Sequence, residues 1–158
     1  MGFAVGNEIL IGALEKIKSY LDYGAFTPIQ VAAASALSSD PSTIEKVRGI
    51  YRKRRDVLVG AMGKAGWEIP PPDATMFAWA PIPEKFKTLG SLEFSKVLLK
   101  EANISVAPGI GFGEYGENFV RIGLVENEHR IRQAARNIKA VLNKADKILS
   151  DYSQGLIG

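Results

Sequence analysis

Residues 104–124, ISVAPGIGFGEYGENFVRIGL, set a strand-like run, a glycine-dense turn and a returning strand around a single arginine. Val106-Ala107-Pro108-Gly109 closes the first run, and Phe119-Val120-Arg121-Ile122-Gly123-Leu124 forms the second. Between them Gly109, Gly111, Gly113 and Gly116 permit a tight turn, part of it at positive φ. Arg121 interrupts an otherwise apolar run. Its guanidinium is permanently charged and offers a planar fork matched to a carboxylate. Its partner is therefore a substrate carboxylate, an internal Asp or Glu, or solvent at a strand edge. The glycines also match G-x-G-x-x-G over Gly111–Gly116, but the sequence that follows, NFVRIGLV, is a strand. A dinucleotide site of that type needs a helix N-terminus at this point to hold the pyrophosphate, so the turn is a connection between strands.

Working outward, Thr75–Ala80 reads as another strand after the Pro70-Pro71-Pro72 run, and Ser91–Ala102 as an amphipathic helix with Leu92, Val97, Leu98 and Leu99 toward the core. A long helix closes the chain over Asn127–Leu149, and Ser150–Gly158 reads as a loose tail. Upstream, Asp40-Pro41 opens a long helix ending near Lys64 and Gly66, with Ile44, Val47, Tyr51, Val57, Leu58 and Met62 at helical spacing. The cluster Arg48 to Asp56 within it reads as a solvated face rather than a phosphate-binding surface, since no aromatic platform accompanies it. Phe3–Gly6 reads as a short strand, Asn7 as the cap of a helix reaching about Leu21, and Thr27-Pro28-Ile29-Gln30 as a capping box opening a helix to about Ser38. The helix from Asn7 to Leu21 has a wide apolar face, so self-association is expected to cover it.

Composition narrows the function classes. The 158 residues are 46% hydrophobic, enough for a substantial core. There is no cysteine and only one histidine, His129, which excludes thiol catalysis, a disulfide framework and a histidine metal cluster. A net charge of +3, with acids interspersed among the bases, does not call for nucleic acid. No apolar run is long enough to span a membrane, and the first residues lack a basic leader, so a cytoplasmic location is expected.

Three stretches carry a resemblance to a known family: VAPGIGFGEYGENFVRIGLVENEHRIRQA at residues 106–134, GFAVGNEILIGALEKIKSYLDYGAFTPIQVAAASAL at 2–37 and PPPDATMFAWAPIP at 70–83. In order and spacing they resemble the C-terminal portion of class I/II, fold-type I aminotransferases, nearest the alanine and LL-diaminopimelate branch. The resemblance implies an α+β architecture. Residues 1–40 would end the large domain that binds pyridoxal 5'-phosphate, 41–67 would be the interdomain helix, 68–149 the small C-terminal domain and 150–158 a flexible tail. It implies transfer of an amino group between an amino acid and a 2-oxo acid by a homodimer. Arg121 matches the arginine that binds the substrate α-carboxylate, and Phe77 falls where the family places an aromatic near the substrate, with a core aromatic as the alternative. Tyr23 and Phe26 fall in the segment that crosses the dimer interface, as active-site walls or as interface packing.

The same resemblance implies that the Schiff-base lysine lies upstream of residue 1, so this chain is expected to be inactive alone and to bind no pyridoxal phosphate. Lys96 follows Ser95 and superficially repeats the family's Ser-Lys pair, but the helical pattern puts it on the solvated side. Many relatives have glycine where Ala74 or Thr75 stands. The alternative function is a standalone, noncatalytic module that binds a carboxylate or a protein partner.

Overall fold

The computed structural model describes residues 1–22 and 24–154. The chain separates into two compact units, Met1–Ile44 and Glu45 onward.

The first unit holds α1 (Glu8–Leu21) and α2 (Thr27–Leu37). Asn7 caps α1 as its sequence predicts, its side chain accepting from the amides of Ile9 at 3.0 Å and Leu10 at 3.4 Å. The capping box at Thr27 does not form. Phe26 is the cap residue without a side-chain bond, Pro28 sits in the first turn, and Gln30 Nε2 donates back to the Ala25 carbonyl at 2.5 Å. Residues 3–6 form no strand, because a strand exists only through ladder partners and none is present among the described residues. Neither helix buries a single residue. Ile9, Leu10, Leu14 and Ile17 all remain exposed.

In the second unit, a three-stranded antiparallel sheet is built around the arginine-bearing strand. β3 (Phe119–Gly123) lies between β1 (Phe77–Pro81) and β2 (Ala107–Pro108). Opposite Arg121 stand Trp79 on β1 and Ala107 on β2. The two-residue alternation sends Ala78, Ala80 and Val120 into the core, all fully buried, and leaves Phe77, Trp79, Phe119 and Arg121 on the other side.

The helices α3 (Ser42–Ala65), α4 (Gly90–Ala102) and α5 (Glu128–Asn143) bring Leu58, Met62, Phe94, Val97, Leu98, Ile131 and Ile138 to the same core. Burying each such side chain is worth roughly 1.5–3 kcal/mol. Gly66, at φ 92°, ends α3 and turns Trp67 inward, where it meets Phe94 edge to face at 5.7 Å. The Trp67 indole N–H donates to the Pro81 carbonyl at 2.7 Å. Asn137 Nδ2 donates to the Ala102 carbonyl at 3.0 Å, satisfying the end of α4.

Several expectations are corrected. Leu92 and Leu99 are about half exposed; the inward face of α4 is Ser91, Phe94, Ser95, Val97, Leu98 and Ala102. Ile44 and Val47 are exposed, so α3 is buried only through its later turns. The single closing helix is two, α5 and then α6 (Ala145–Ser153), separated at Lys144. Ala145 and Ile148 on α6 are buried in the same core as Ile138 and Val141 on α5. Residues 150–153 are helical rather than tail, and 155–158 lie outside the described residues.

Candidate functional site

Arg121 is brought to the outer face of the sheet by its register, not by burial; it is half-buried. Its guanidinium carbon lies over the ring of Phe77, 4.1 Å from the centroid, and over that of Phe112, 4.3 Å away. Trp79 meets Phe112 edge to face at 5.7 Å and stacks on Phe119 at 5.6 Å. The result is a cation set in an aromatic surface. Among the described residues no ion pair involves the Arg121 guanidinium, so the internal Asp or Glu allowed by its sequence is not its partner. Its donors are directed by the rings and remain available to a planar, two-oxygen acceptor.

The glycine turn consists of two short 3-10 turns, Gly109–Phe112 and Glu114–Gly116, joined at Gly113 with φ 116°. Gly109 and Gly116 serve a different purpose from a permissive φ. A β-carbon on Gly109 would stand 1.9 Å from the Gly116 carbonyl oxygen, and one on Gly116 would stand 2.1 Å from that of Gly109. The two backbones touch, and only glycine allows it. Gly111 has open space around it. The buried Ser91 hydroxyl accepts from the Ile110 amide at 3.0 Å and donates to Glu117 at 2.8 Å, and Glu117 also accepts from the Ser91 amide at 3.2 Å. One side chain thus ties the turn to the start of α4.

At the other end of β1, Thr75 holds φ 71°, a conformation a β-branched residue rarely adopts, while its hydroxyl accepts from the Phe77 amide at 3.1 Å. Beside it a cleft of about 550 Å³ runs between Pro72–Met76 and the Arg48, Arg52 and Arg55 face of α3. Arg54 leaves that solvated face. It donates to the carbonyls of Leu124 at 3.0 Å and Val125 at 3.1 Å, just past the end of β3, and its Nε is buried without a partner.

Of the residues singled out in the sequence, Arg121 and Phe77 are brought together. Phe26 is exposed in the first unit, and Tyr23 lies outside the described residues. Trp79, Phe119 and Phe112 were not singled out. The first two were recoverable from alternation, two residues from Phe77 and from Arg121; Phe112 sits in an irregular turn and had no periodic signal. Every described lysine is exposed, and Lys96 pairs with Glu93 at 2.6 Å. A Schiff-base lysine needs desolvation or neighbouring cations, so the described lysines do not fit that role. Among the described residues no acid or histidine cluster could hold a metal, and no helix is long and apolar enough to cross a membrane.

Fold and sequence now converge on one class: the chain belongs to the class I and II aminotransferase family, whose profile matches residues 1–138. It is 69% identical over 149 residues to the putative aminotransferase AatC of Rhizobium meliloti, covering 94% of this chain and 37% of that protein. It is 53% identical over 154 residues to the glutamate-pyruvate aminotransferase AlaC of Escherichia coli K12, covering 98% and 37%. Among solved structures it is similar to BacF of Bacillus subtilis, at 36% identity and a TM-score of 0.77, over 87% of this chain and 35% of that one. The aromatic aminotransferase of Pyrococcus horikoshii OT3 matches at 29% identity and a TM-score of 0.74, over 83% and 35%. The chain therefore spans a little over a third of the length of these relatives, and its α+β fold is theirs over that stretch.

Proposed function

We propose that this chain is the C-terminal part of a pyridoxal-phosphate-dependent aminotransferase that moves an amino group between an amino acid and a 2-oxo acid, and that it supplies the group holding the substrate α-carboxylate. The observation that carries this reading is Arg121, a half-buried guanidinium fixed over two rings and in no ion pair among the described residues. Bidentate pairing there orients an amino acid about its Cα, and Phe77 forms the adjacent wall. The cofactor supplies the electron sink for the chemistry. No described lysine suits its attachment, which supports a reading in which that lysine belongs to polypeptide upstream and this chain alone is inactive. In the same reading residues 1–40 close the large domain, 41–67 connect the domains and 68–149 form the small domain. Tyr23 and Phe26 then serve a homodimer interface, and the protein works in the cytoplasm. The closest alternative is a standalone carboxylate-binding or protein-binding module, favoured by the self-contained core of the second unit.

Kinetics on the chain joined to the upstream sequence of its relatives test the role of Arg121. Arg121→Lys keeps the charge and loses the fork, so kcat/KM for alanine falls on the order of tenfold or more. An amine lacking the α-carboxylate loses much less. Equal losses on both substrates overturn the assignment. For the chain alone, borohydride reduction in the presence of pyridoxal phosphate labels no single lysine stoichiometrically; such labelling, with transamination, refutes the inactive reading.

A further inference from the structure

We infer that Phe112 is a positioning residue for Arg121, delivered by the glycine turn so that the guanidinium meets a carboxylate already aimed; the inference rests on the carboxylate reading above. An arginine on a sheet face has many rotamers, and a binding site built on it loses affinity to whatever freedom it must give up. Phe77 restrains the guanidinium from β1 itself. Phe112 does so from outside the sheet, and its place needs a separate explanation.

Core burial does not provide one, because Phe112 is 52% exposed. Its defining contacts are the Arg121 guanidinium at 4.3 Å and the edge of Trp79 at 5.7 Å. The backbone on either side of it is tied down at two points. Gly109 and Gly116 meet backbone to backbone, and the buried Ser91 hydroxyl holds the amide of Ile110, two residues before Phe112. The Gly109–Gly116 contact thus acts as a bracket that sets an exposed ring over a cation. A turn held this tightly from below, with an apolar ring at its exposed tip, suits a requirement at the ring rather than in the core.

The test is side-chain NMR of the Arg121 Nε–Hε group in this chain, titrated with acetate, L-alanine and, as a carboxylate-free control, ethylamine. In the wild type the ring currents move this proton upfield, and acetate and alanine perturb it while ethylamine does not. Phe112→Leu returns the resonance toward that of a free arginine and weakens acetate binding roughly threefold to thirtyfold, the range a lost cation–π contact allows. Phe112→Tyr, which keeps the ring, restores both. Phe112→Met gives the same answer as leucine with a closer match in length, and unchanged amide spectra of Phe94 and Val97 certify the fold in each variant. If Phe112→Leu leaves both the Arg121 resonance and acetate affinity at wild-type values, the inference is overturned. If the resonance responds to Phe112→Leu but neither acetate nor alanine moves it in the wild type, Phe112 does position the cation, and it is the carboxylate reading that fails.

Discussion

The two units reach helical structure by opposite routes. In the first, α1 and α2 form with every residue at least partly open to water, directed by local signals: the Asn7 cap, an acid at Glu8, Pro28 in a first turn. In the second, α4 lacks any side-chain cap bond from its own cap residue and is instead organised by burial of Phe94, Val97 and Leu98 and by the distant Glu117 at its start. Caps determine where a helix begins, whereas burial determines how much free energy depends on it. The apolar residues of α1 have the first without the second.

The largest test of that contrast pairs Phe94→Ala with Leu14→Ala in urea denaturation of the monomeric chain. Phe94 is fully buried against Trp67 and Phe86, so its truncation costs about 3–5 kcal/mol. Leu14 is 42% exposed, and its loss costs about 0.5 kcal/mol or less. A large Leu14→Ala effect that grows with protein concentration, followed by sedimentation, would sharpen the comparison by showing that association covers the first unit.

Next in size is the turn. Gly109→Ala forces apart two backbones in contact and destabilises by about 1–3 kcal/mol, while Gly111→Ala stays within about 0.5 kcal/mol of wild type. Thermal melts of the two variants separate close approach from turn flexibility. Equal effects would mean that the glycines act through conformational freedom alone.

A smaller effect, of opposite sign, is expected at Thr75. Its positive φ costs a β-branched residue about 1–3 kcal/mol, which glycine relieves, offset in part by the lost bond to the Phe77 amide and by glycine's greater freedom when unfolded. Thr75→Gly therefore stabilises the second unit by about 1 kcal/mol or less. A drop in melting temperature would show that the hydroxyl outweighs the backbone.

The smallest effect is acid fraying where α3 begins. The Asp40 carboxylate accepts from the Ser42 amide at 3.0 Å and the Ser42 hydroxyl at 2.8 Å, which hold its pKa below the ordinary carboxylate value. A depressed folded-state pKa means that the stabilisation is present above the unfolded value and is lost as pH falls through the folded one. Amide exchange at Ser42–Glu45 should therefore accelerate as pH falls below the ordinary carboxylate range, and Asp40→Asn should remove the dependence.

How much of this was legible in sequence depends on the range of the forces involved. The arginine strand, its partner around Phe77, the turn and α4 were readable because alternation, glycine and helical periodicity are local. β2 was readable only as the end of a run, since its Ala107–Pro108 ladder exists through its pairing with β3. The break at Lys144 carries no proline or glycine, and the apolar spacing of Val141, Ala145 and Ile148 continues across it, so nothing local announces it. Arg121 stood out as a lone charge in an apolar run, but its aromatic setting depends on Phe112, which the chain places by tertiary contacts. The strain at Thr75 had an indirect trace in the glycine that the resemblance placed there or at Ala74.

The chain also contains its own pair of optical reporters. Trp67 is 2% exposed with its indole N–H held by the Pro81 carbonyl, whereas Trp79 is 37% exposed and stands across the ladder from Arg121. Emission from the first should lie toward the blue edge of the spectrum and shift to the red when the second unit unfolds. Emission from the second belongs to the red edge and is open to collisional quenching by iodide. Replacing either tryptophan with phenylalanine leaves a single fluorophore, so folding and events at the arginine face can be followed in separate wavelength channels without an added dye.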